Sequence, residues 1–230
     1  MWFVSMKMLI SLIYGTCSVD SEALQNSKGG PMMGRYIMAN IIITISREYG
    51  SGGREIGKKL AERLGIDFYD KEIITMLAKE SGLSEETIHN WAEKEVSGFF
   101  YGINAARGII PIPDRIFSAR RKVLNELADK GSCVIVGSCG DYILKDRENL
   151  KKFFIYAPKE LRAKRAKEVY GDDLAAYPNM IKRKDEERRD YYNHFTSYRF
   201  GDYKNYDACI NSAIGIDKVV DLIEYYVKQD

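Results

Sequence analysis

The chain has 230 residues, with 35 Lys and Arg against 33 Asp and Glu, for a formal net charge of +2. That length supports one domain with a substantial core, and the near-neutral balance argues against bulk attraction to nucleic acid or a membrane surface, so anion affinity must come from local placement. Cys17, Cys133, Cys139 and Cys209 form no C-x-x-C pair and lie far from His89 and His194, which argues against a disulfide framework or a zinc site. Reduced thiols in a cytoplasmic protein are the expectation, with Cys133 and Cys209 as small core residues.

Residues 1–37 differ from the rest. MWFVSMKMLISLIYGTC is apolar but interrupted and too short to span a bilayer, and the following SVDSEALQNSKGGPMMG is polar and glycine-bearing. The expectation is an irregular extension, with Met38 a natural start for a domain over 38–230.

Ile41–Ile45 is a continuous β-branched run, the pattern of a central parallel strand covered on both faces. Gly50, Gly52 and Gly53 follow in a turn, and Arg54–Leu64 places Ile56, Leu60, Ala61 and Leu64 at helical spacing before Gly65. GIDFYD is a short extended piece ending at Asp70. Helices are predicted over Lys71–Glu80 and from Ser84 to about Val96. Residues 97–113 are rich in Gly, Pro and aromatics and read as a long irregular loop. Asp114 is expected to cap a helix to Lys130, with Gly131 ending it. CVIVG (133–137) and FFIYA (153–157) are further strands. Pro158 opens a helix to Tyr170, residues 171–178 form a turn-rich break, and another charged helix covers about 179–192. A strand over 207–211 and an amphipathic helix over Ile216–Val227 close the chain. Strands alternating with helices imply an α/β fold with a mostly parallel sheet and right-handed crossovers. Ligand belongs outside the carboxyl ends of its strands.

The stretch IIITISREYGSGGREI (41–56) carries the chemistry. Strand, glycine turn and helix aim backbone N–H groups and a helix N-terminus at a phosphate. A Walker A loop reads G-x-x-x-x-G-K-[ST]. Here Arg47 stands at the first Gly, Gly53 at the Lys, and Arg54 and Glu55 follow, so the usual hydroxyl for Mg²⁺ is missing. Arg47 and Arg54 bracket the loop, and Arg54 can supply the missing charge. A cation in a first helical turn opposes the helix dipole, which itself argues for an anionic ligand.

ISREYGSGGREIGKKLAERLGIDFYDKEII resembles the cytidylate kinase-like family, relatives of bacterial cytidylate kinase and other P-loop nucleoside monophosphate kinases. The resemblance covers about 38–225 and implies a three-layer α/β/α P-loop kinase fold with a helical lid. It implies ATP and Mg²⁺ as cofactors, with ATP over Arg47, Gly50, Ser51, Gly52, Gly53, Arg54 and Glu55, and a small nucleotide as partner. Asp70 matches an aspartate beside the acceptor phosphoryl group, where a carboxylate orients the attacking oxygen or metal-bound water. Arg162 and Arg165 match a lid arginine pattern, and Arg188 is a third candidate for charge neutralisation at the phosphates. The family carries Gly-Arg after the second long strand where this chain has Gly137-Ser138, a change that removes a bidentate contact to the acceptor phosphate. Arg120 and Arg121, on the preceding helix, are the candidates to compensate. The expectation is ATP-dependent phosphoryl transfer to a nucleoside monophosphate, cytidylate-like. Its alternatives are a non-catalytic nucleotide-binding module on the same fold, or a kinase of another small metabolite.

Overall fold

A computed structural model describes residues 40–91, 110–170 and 177–229. The expectations for residues 1–37, for most of the 97–113 loop, for the end of the helix beyond Trp91 and for the 171–176 break lie outside the described residues.

The central strand β1 (Ile42–Arg47) forms where the β-branched run predicts it. β2 (Asp67–Tyr69), β3 (Cys133–Val136), β4 (Leu150–Tyr156) and β5 (Ala208–Asn211) join it in the order β2-β3-β1-β4-β5. Every pairing is parallel. The sheet is therefore wholly parallel among the described residues.

Alternation along β1 builds two cores. Ile43 and Ile45 face α1 (Gly53–Leu64) and α8 (Ile216–Val227), joining Ile56, Leu60, Phe153, Val220 and Ile223. Ile42 faces the other way, with Ile73 of α2 (Glu72–Ser81), Ile88 of α3 (Glu85–Trp91) and Ile116 and Leu124 of α4 (Ile112–Lys130). Helices on both faces make the three-layer α/β/α fold, as side chains on a strand point to opposite faces in turn. Cys133 lies in the second core, where burial pushes its thiol up to about 11, as suits an inert core residue.

Several features differ from the sequence reading. Helix α4 starts at Ile112 rather than at an Asp114 cap: Pro113 needs no amide partner in a first turn, and the Arg115 amide donates to Pro111 O at 3.1 Å. Asp114 sits inside that turn, where a carboxylate suits the helix dipole. Strand β4 begins three residues early, at Leu150, because Lys151 and Lys152 lie half-buried with the ladder running beneath them. After β3 comes a short helix, α5 (Gly140–Ile143), that the sequence did not suggest. Helices α6 (Lys159–Tyr170) and α7 (Tyr177–Phe195) complete the set.

Because the sheet separates the two cores, small cavities made on opposite faces should act independently. Ile56→Val and Ile116→Val should each cost about 0.5–1.5 kcal/mol. In urea unfolding the double variant should match their sum to within about 0.5 kcal/mol, and a larger discrepancy would show that the layers are coupled.

Candidate active site

The glycine turn leaves the carboxyl end of β1, the side of a parallel sheet where ligands bind. Gly50 (φ 73°) and Gly52 (φ 86°) are left-handed, and Gly52 is the N-cap of α1. Space demands glycine as well. A Cβ on Gly50 would lie 2.6 Å from the backbone oxygen of Arg162, and one on Gly52 would lie 2.5 Å from Ile216 Cδ1. The first backbone bond of α1 runs from the Ile56 amide to Gly52 O at 3.0 Å. The Gly53, Arg54 and Glu55 amides precede that bond, as at any helix start.

The carbonyls of the turn are tied down from one side. Arg162 Nη1 donates to Tyr49 O at 3.2 Å, and Arg165 Nη1 donates to Ser51 O at 2.9 Å. Ser212 Oγ donates to the same Ser51 O at 2.6 Å and accepts from Arg165 Nη1 at 2.8 Å. In a trans peptide the C=O and the next N–H point opposite ways. Capturing the Tyr49 and Ser51 carbonyls therefore turns the Gly50 and Gly52 amides away from α6. Backbone N–H groups so presented form an anion-binding nest.

Arg162 is 4% exposed and pairs with Asp185 of α7 and, at 3.4 Å, with Glu48. Asp185 Oδ1 also accepts from the Tyr49 amide at 2.8 Å. Burial of Arg165 lowers its guanidinium's affinity for a proton, a shift opposed by the Glu55 carboxylate. The two predicted lid arginines thus lie behind the loop, held by carbonyls, Asp185 and Ser212, rather than lining its open side. In this arrangement their donors hold the loop's carbonyls. Arg188 lies nearer the front, its Cζ 5.5 Å from the Tyr49 ring centroid and its Nη1 3.4 Å from Arg47 O.

Arg54 of α1 reaches Asp70, at the end of β2, with Nε 2.7 Å from Oδ2. Asp70 does not cap α2, whose N-cap position is Lys71. The pair joins the glycine loop to a cavity of about 350 Å³ at the carboxyl ends of β1, β2 and β3. Arg47, Asp70, Arg120, Ser138 and Lys184 line it, against an apolar wall that includes Ile73 and Leu77. Four predicted site residues (Arg47, Asp70, Arg120 and Ser138) therefore share one cavity, although 91 positions separate the first from the last. The Arg47 guanidinium lies over Gly137, where a Cβ would strike its Nη1. Its backbone belongs to the loop, but its charge belongs to the cavity.

The turn after β3 is strained. Gly137, Ser138 and Cys139 have φ of 75°, 58° and 54°, and two of the three are non-glycine. Buried Asp141 braces it, accepting from Ser46 Oγ at 3.2 Å and from Tyr192 Oη at 2.6 Å. Burial pushes the Asp141 carboxyl up, and the bonds from Tyr192 and Ser46 oppose that shift. Sequence reasoning missed Asp185, Ser212, Lys184 and Asp141. Asp185 carried a weak signal, one turn before Arg188, whereas Ser212 carried none.

A family model described as the cytidylate kinase-like family matches residues 42–214. The chain belongs to the cytidylate kinase-like family. A cytidylate kinase of Pyrococcus horikoshii is 29% identical over 175 residues, covering 75% of this chain and 80% of that protein. A cytidylate kinase of Archaeoglobus fulgidus is 27% identical over 184 residues, covering 79% and 91%. Among solved structures, an uncharacterized protein of Eubacterium ventriosum superposes with a TM-score of 0.62 at 34% identity, covering 83% of this chain and 99% of that one. A gluconokinase of Sinorhizobium meliloti superposes at 0.53 with 15% identity over 83% and 93%, a likeness of fold alone. Among the described residues, no helix of this family member is long and apolar enough to cross a membrane.

The brace behind the loop is open to test. Asp185→Ala removes the shorter of the two ion pairs of buried Arg162, leaving Glu48 at 3.4 Å, and should cost about 1.5–3 kcal/mol in chemical unfolding. Asp185→Ala combined with Arg162→Met should recover most of that loss, and equal destabilisation in both variants would show that the ion pair is not what holds the loop.

Proposed function

We propose that the protein transfers the γ-phosphoryl group of ATP to a nucleoside monophosphate of the cytidylate type. The observation that carries this reading is the adjacency of two parts: a glycine loop whose amides are turned away from α6, and a basic cavity of about 350 Å³ at the same end of the sheet. That volume suits a ligand of nucleotide size. Membership of a kinase-like family and two relatives named cytidylate kinase support the same reaction class.

Each residue then has a physical task. The Gly50 and Gly52 amides and the first turn of α1 hold the phosphates of ATP. Arg54 brings the positive charge that Gly53 cannot, and Asp70 fixes its direction across the loop. Arg162, Arg165, Asp185 and Ser212 hold the loop in shape, so that no reorganisation is needed as charge develops on the transferred group. Arg188, stacked on Tyr49, is the arginine of α7 placed to approach from the lid side. The acceptor is already an anion, so in-line transfer calls mainly for positioning and neutralisation.

Magnesium does not fit this loop as a protein-held ion. The hydroxyl position of a Walker A loop is Arg54, Asp70 is engaged by it, and Glu48 and Asp185 are engaged by Arg162. Among the described residues no group of three or more His, Cys, Asp or Glu is gathered to hold a metal. No step above depends on one.

Gly53, Arg54 and Ser138 favour a second reading, in which the domain binds nucleotide without transfer or phosphorylates a different small metabolite. A coupled ADP-release assay over CMP, dCMP, UMP, AMP and a metabolite panel separates the two. ADP release with CMP or dCMP is the expected result. A melting temperature raised by ATP, with no nucleoside monophosphate turned over, would favour the second reading.

The Arg54–Asp70 pair gives a sharper check. Its side chains are 40% and 12% exposed, so the pair contributes at most about 1 kcal/mol to stability. Asp70→Asn should leave the melting temperature nearly unchanged and lower turnover by about tenfold or more, the loss expected when a charged group is misdirected in the transition state. Unchanged turnover would remove Asp70 from the mechanism.

A further inference from the structure

We propose that Asp141 is a positioning residue for phosphoryl transfer: its ionised carboxyl, shared between Ser46 of β1 and Tyr192 of α7, sets how α7 stands over the glycine loop. This deepens the reading of that loop as the ATP site and rests on it. Asp141 is 1% exposed on the short helix α5 and does not line the cavity, so it acts only through its neighbours. Ser46 Oγ donates to its Oδ1 at 3.2 Å and Tyr192 Oη to its Oδ2 at 2.6 Å. Two oxygens that both accept are the pattern of a carboxylate, since a protonated acid uses one of them to donate.

The leverage comes from spacing on α7. Asp185, Arg188 and Tyr192 fall at i, i+3 and i+7, which is one face of a helix. Asp185 Oδ1 accepts from the Tyr49 amide of the loop at 2.8 Å, and Tyr192 is held through Asp141 to Ser46, the residue before Arg47. Arg188 lies between these two ties, with Nη1 3.4 Å from Arg47 O and its guanidinium over the Tyr49 ring. Fastening a helix on both sides of a residue fixes its height and rotation there. That is the preorganisation that developing charge calls for. Loss of the Asp141 charge weakens the Tyr192 tie and leaves α7 held at Asp185, about two helical turns away.

Stability does not account for a charge at this place. Burial raises the proton affinity of the Asp141 carboxyl, opposed by the bonds from Tyr192 and Ser46 and by the charge of Lys152. The groups around it are Ser46 on β1, Lys152 on β4, Tyr192 on α7, Cys139 ahead of α5 and Tyr206 ahead of β5. Of these only Lys152 is a cation. The Tyr206 phenol is buried beside the carboxylate, and burial together with the Asp141 charge raises it as well. Because the folded carboxyl binds its proton more tightly than the unfolded one, its contribution to stability is fully present at low pH and is lost as pH rises through the folded value. At neutral pH an amide of the same shape would cost the fold less.

Asp141→Asn in the full chain keeps the shape and removes the charge. With ATP and CMP in a coupled ADP-release assay, kcat should fall about tenfold to a hundredfold, while KM for ATP stays within about threefold. The parent's kcat should also fall on the acid side as Asp141 takes up a proton, a limb that the variant lacks. The variant's melting temperature at pH 7 should equal or exceed the parent's. By hydrogen exchange, the Tyr49 amide should open roughly twofold to tenfold more often in the variant, as α7 loosens from β1. Tyr192→Phe, which leaves the carboxylate but removes the tie, should lower kcat and speed Tyr49 exchange in the same direction, and it carries the decision if the Asn variant does not fold. A loss of turnover that only follows a loss of melting temperature, an acid limb unchanged in Asp141→Asn, or Tyr49 exchange unchanged in both variants would each overturn the positioning role. Faster Tyr49 exchange in the variants of a parent that releases no ADP with any nucleoside monophosphate would leave the positioning of α7 standing and overturn the transfer reaction. Turnover of CMP by Asp141→Asn at the parent's rate would do the reverse.

Discussion

The capture of two loop carbonyls by buried arginines is the constraint on which the site depends. A glycine-rich turn has many conformations open to it, and ordering it costs conformational entropy. Arg162 and Arg165 limit that freedom by fixing the Tyr49 and Ser51 carbonyls. A charged donor to a carbonyl is a strong bond, and both guanidiniums are themselves held, one by Asp185 and the other by Ser212. Since each peptide is planar, fixing the carbonyl fixes the neighbouring amide. A loop that lacks the Walker lysine is thereby given its shape from behind, and positive charge is free to enter at its front from Arg54.

The same bonds connect distant parts of the chain. Asp185 is on α7, Ser212 follows β5, and Arg162 and Arg165 are on α6, so the loop after β1 is fastened to elements formed more than a hundred residues later. A displacement of α6 or α7 would therefore be transmitted to the glycine loop through these hydrogen bonds. The second brace works in a similar way. Asp141 joins Ser46, one residue before Arg47, to Tyr192 near the end of α7. The middle of α7, through Asp185, and its last turns, through Tyr192, are thus tied to the carboxyl end of β1 and the loop that follows it.

Charge is divided between two tasks. The buried arginines behind the loop serve positioning, and those in front (Arg47, Arg54, Arg120 and Arg188) face the loop mouth or the cavity. The division explains how a protein with a net charge of only +2 gathers a basic site. Exposed ion pairs elsewhere, such as Lys58–Glu62 and Lys182–Glu186, add little stability.

The sequence by itself determined the order of elements, because strand and helix periodicities are local properties of the chain. The run Ile41–Ile45, the helix ending at Gly65 and the closing helix over Ile216–Val227 were legible to within a residue or two, and the SREYGSGGREIG block identified the loop. Asp70 was recognisable at the end of a short strand, and Arg120 as an arginine on the helix before β3. Only the tertiary structure decided what each charge touches. Arg162 and Arg165 match a lid arginine pattern of the family the chain resembles, and their spacing puts them on one helical face, but which way that face turns is set by packing against the loop and Ser212. Arg47 read as part of the loop because its neighbours do, yet its long side chain ends over Gly137 in the turn after β3. Ser212 was invisible, since a lone serine has no pattern until a carbonyl 161 residues away is placed against it. Periodicity is written in sequence neighbours, whereas a hydrogen bond needs two groups within about 3 Å whatever their separation along the chain.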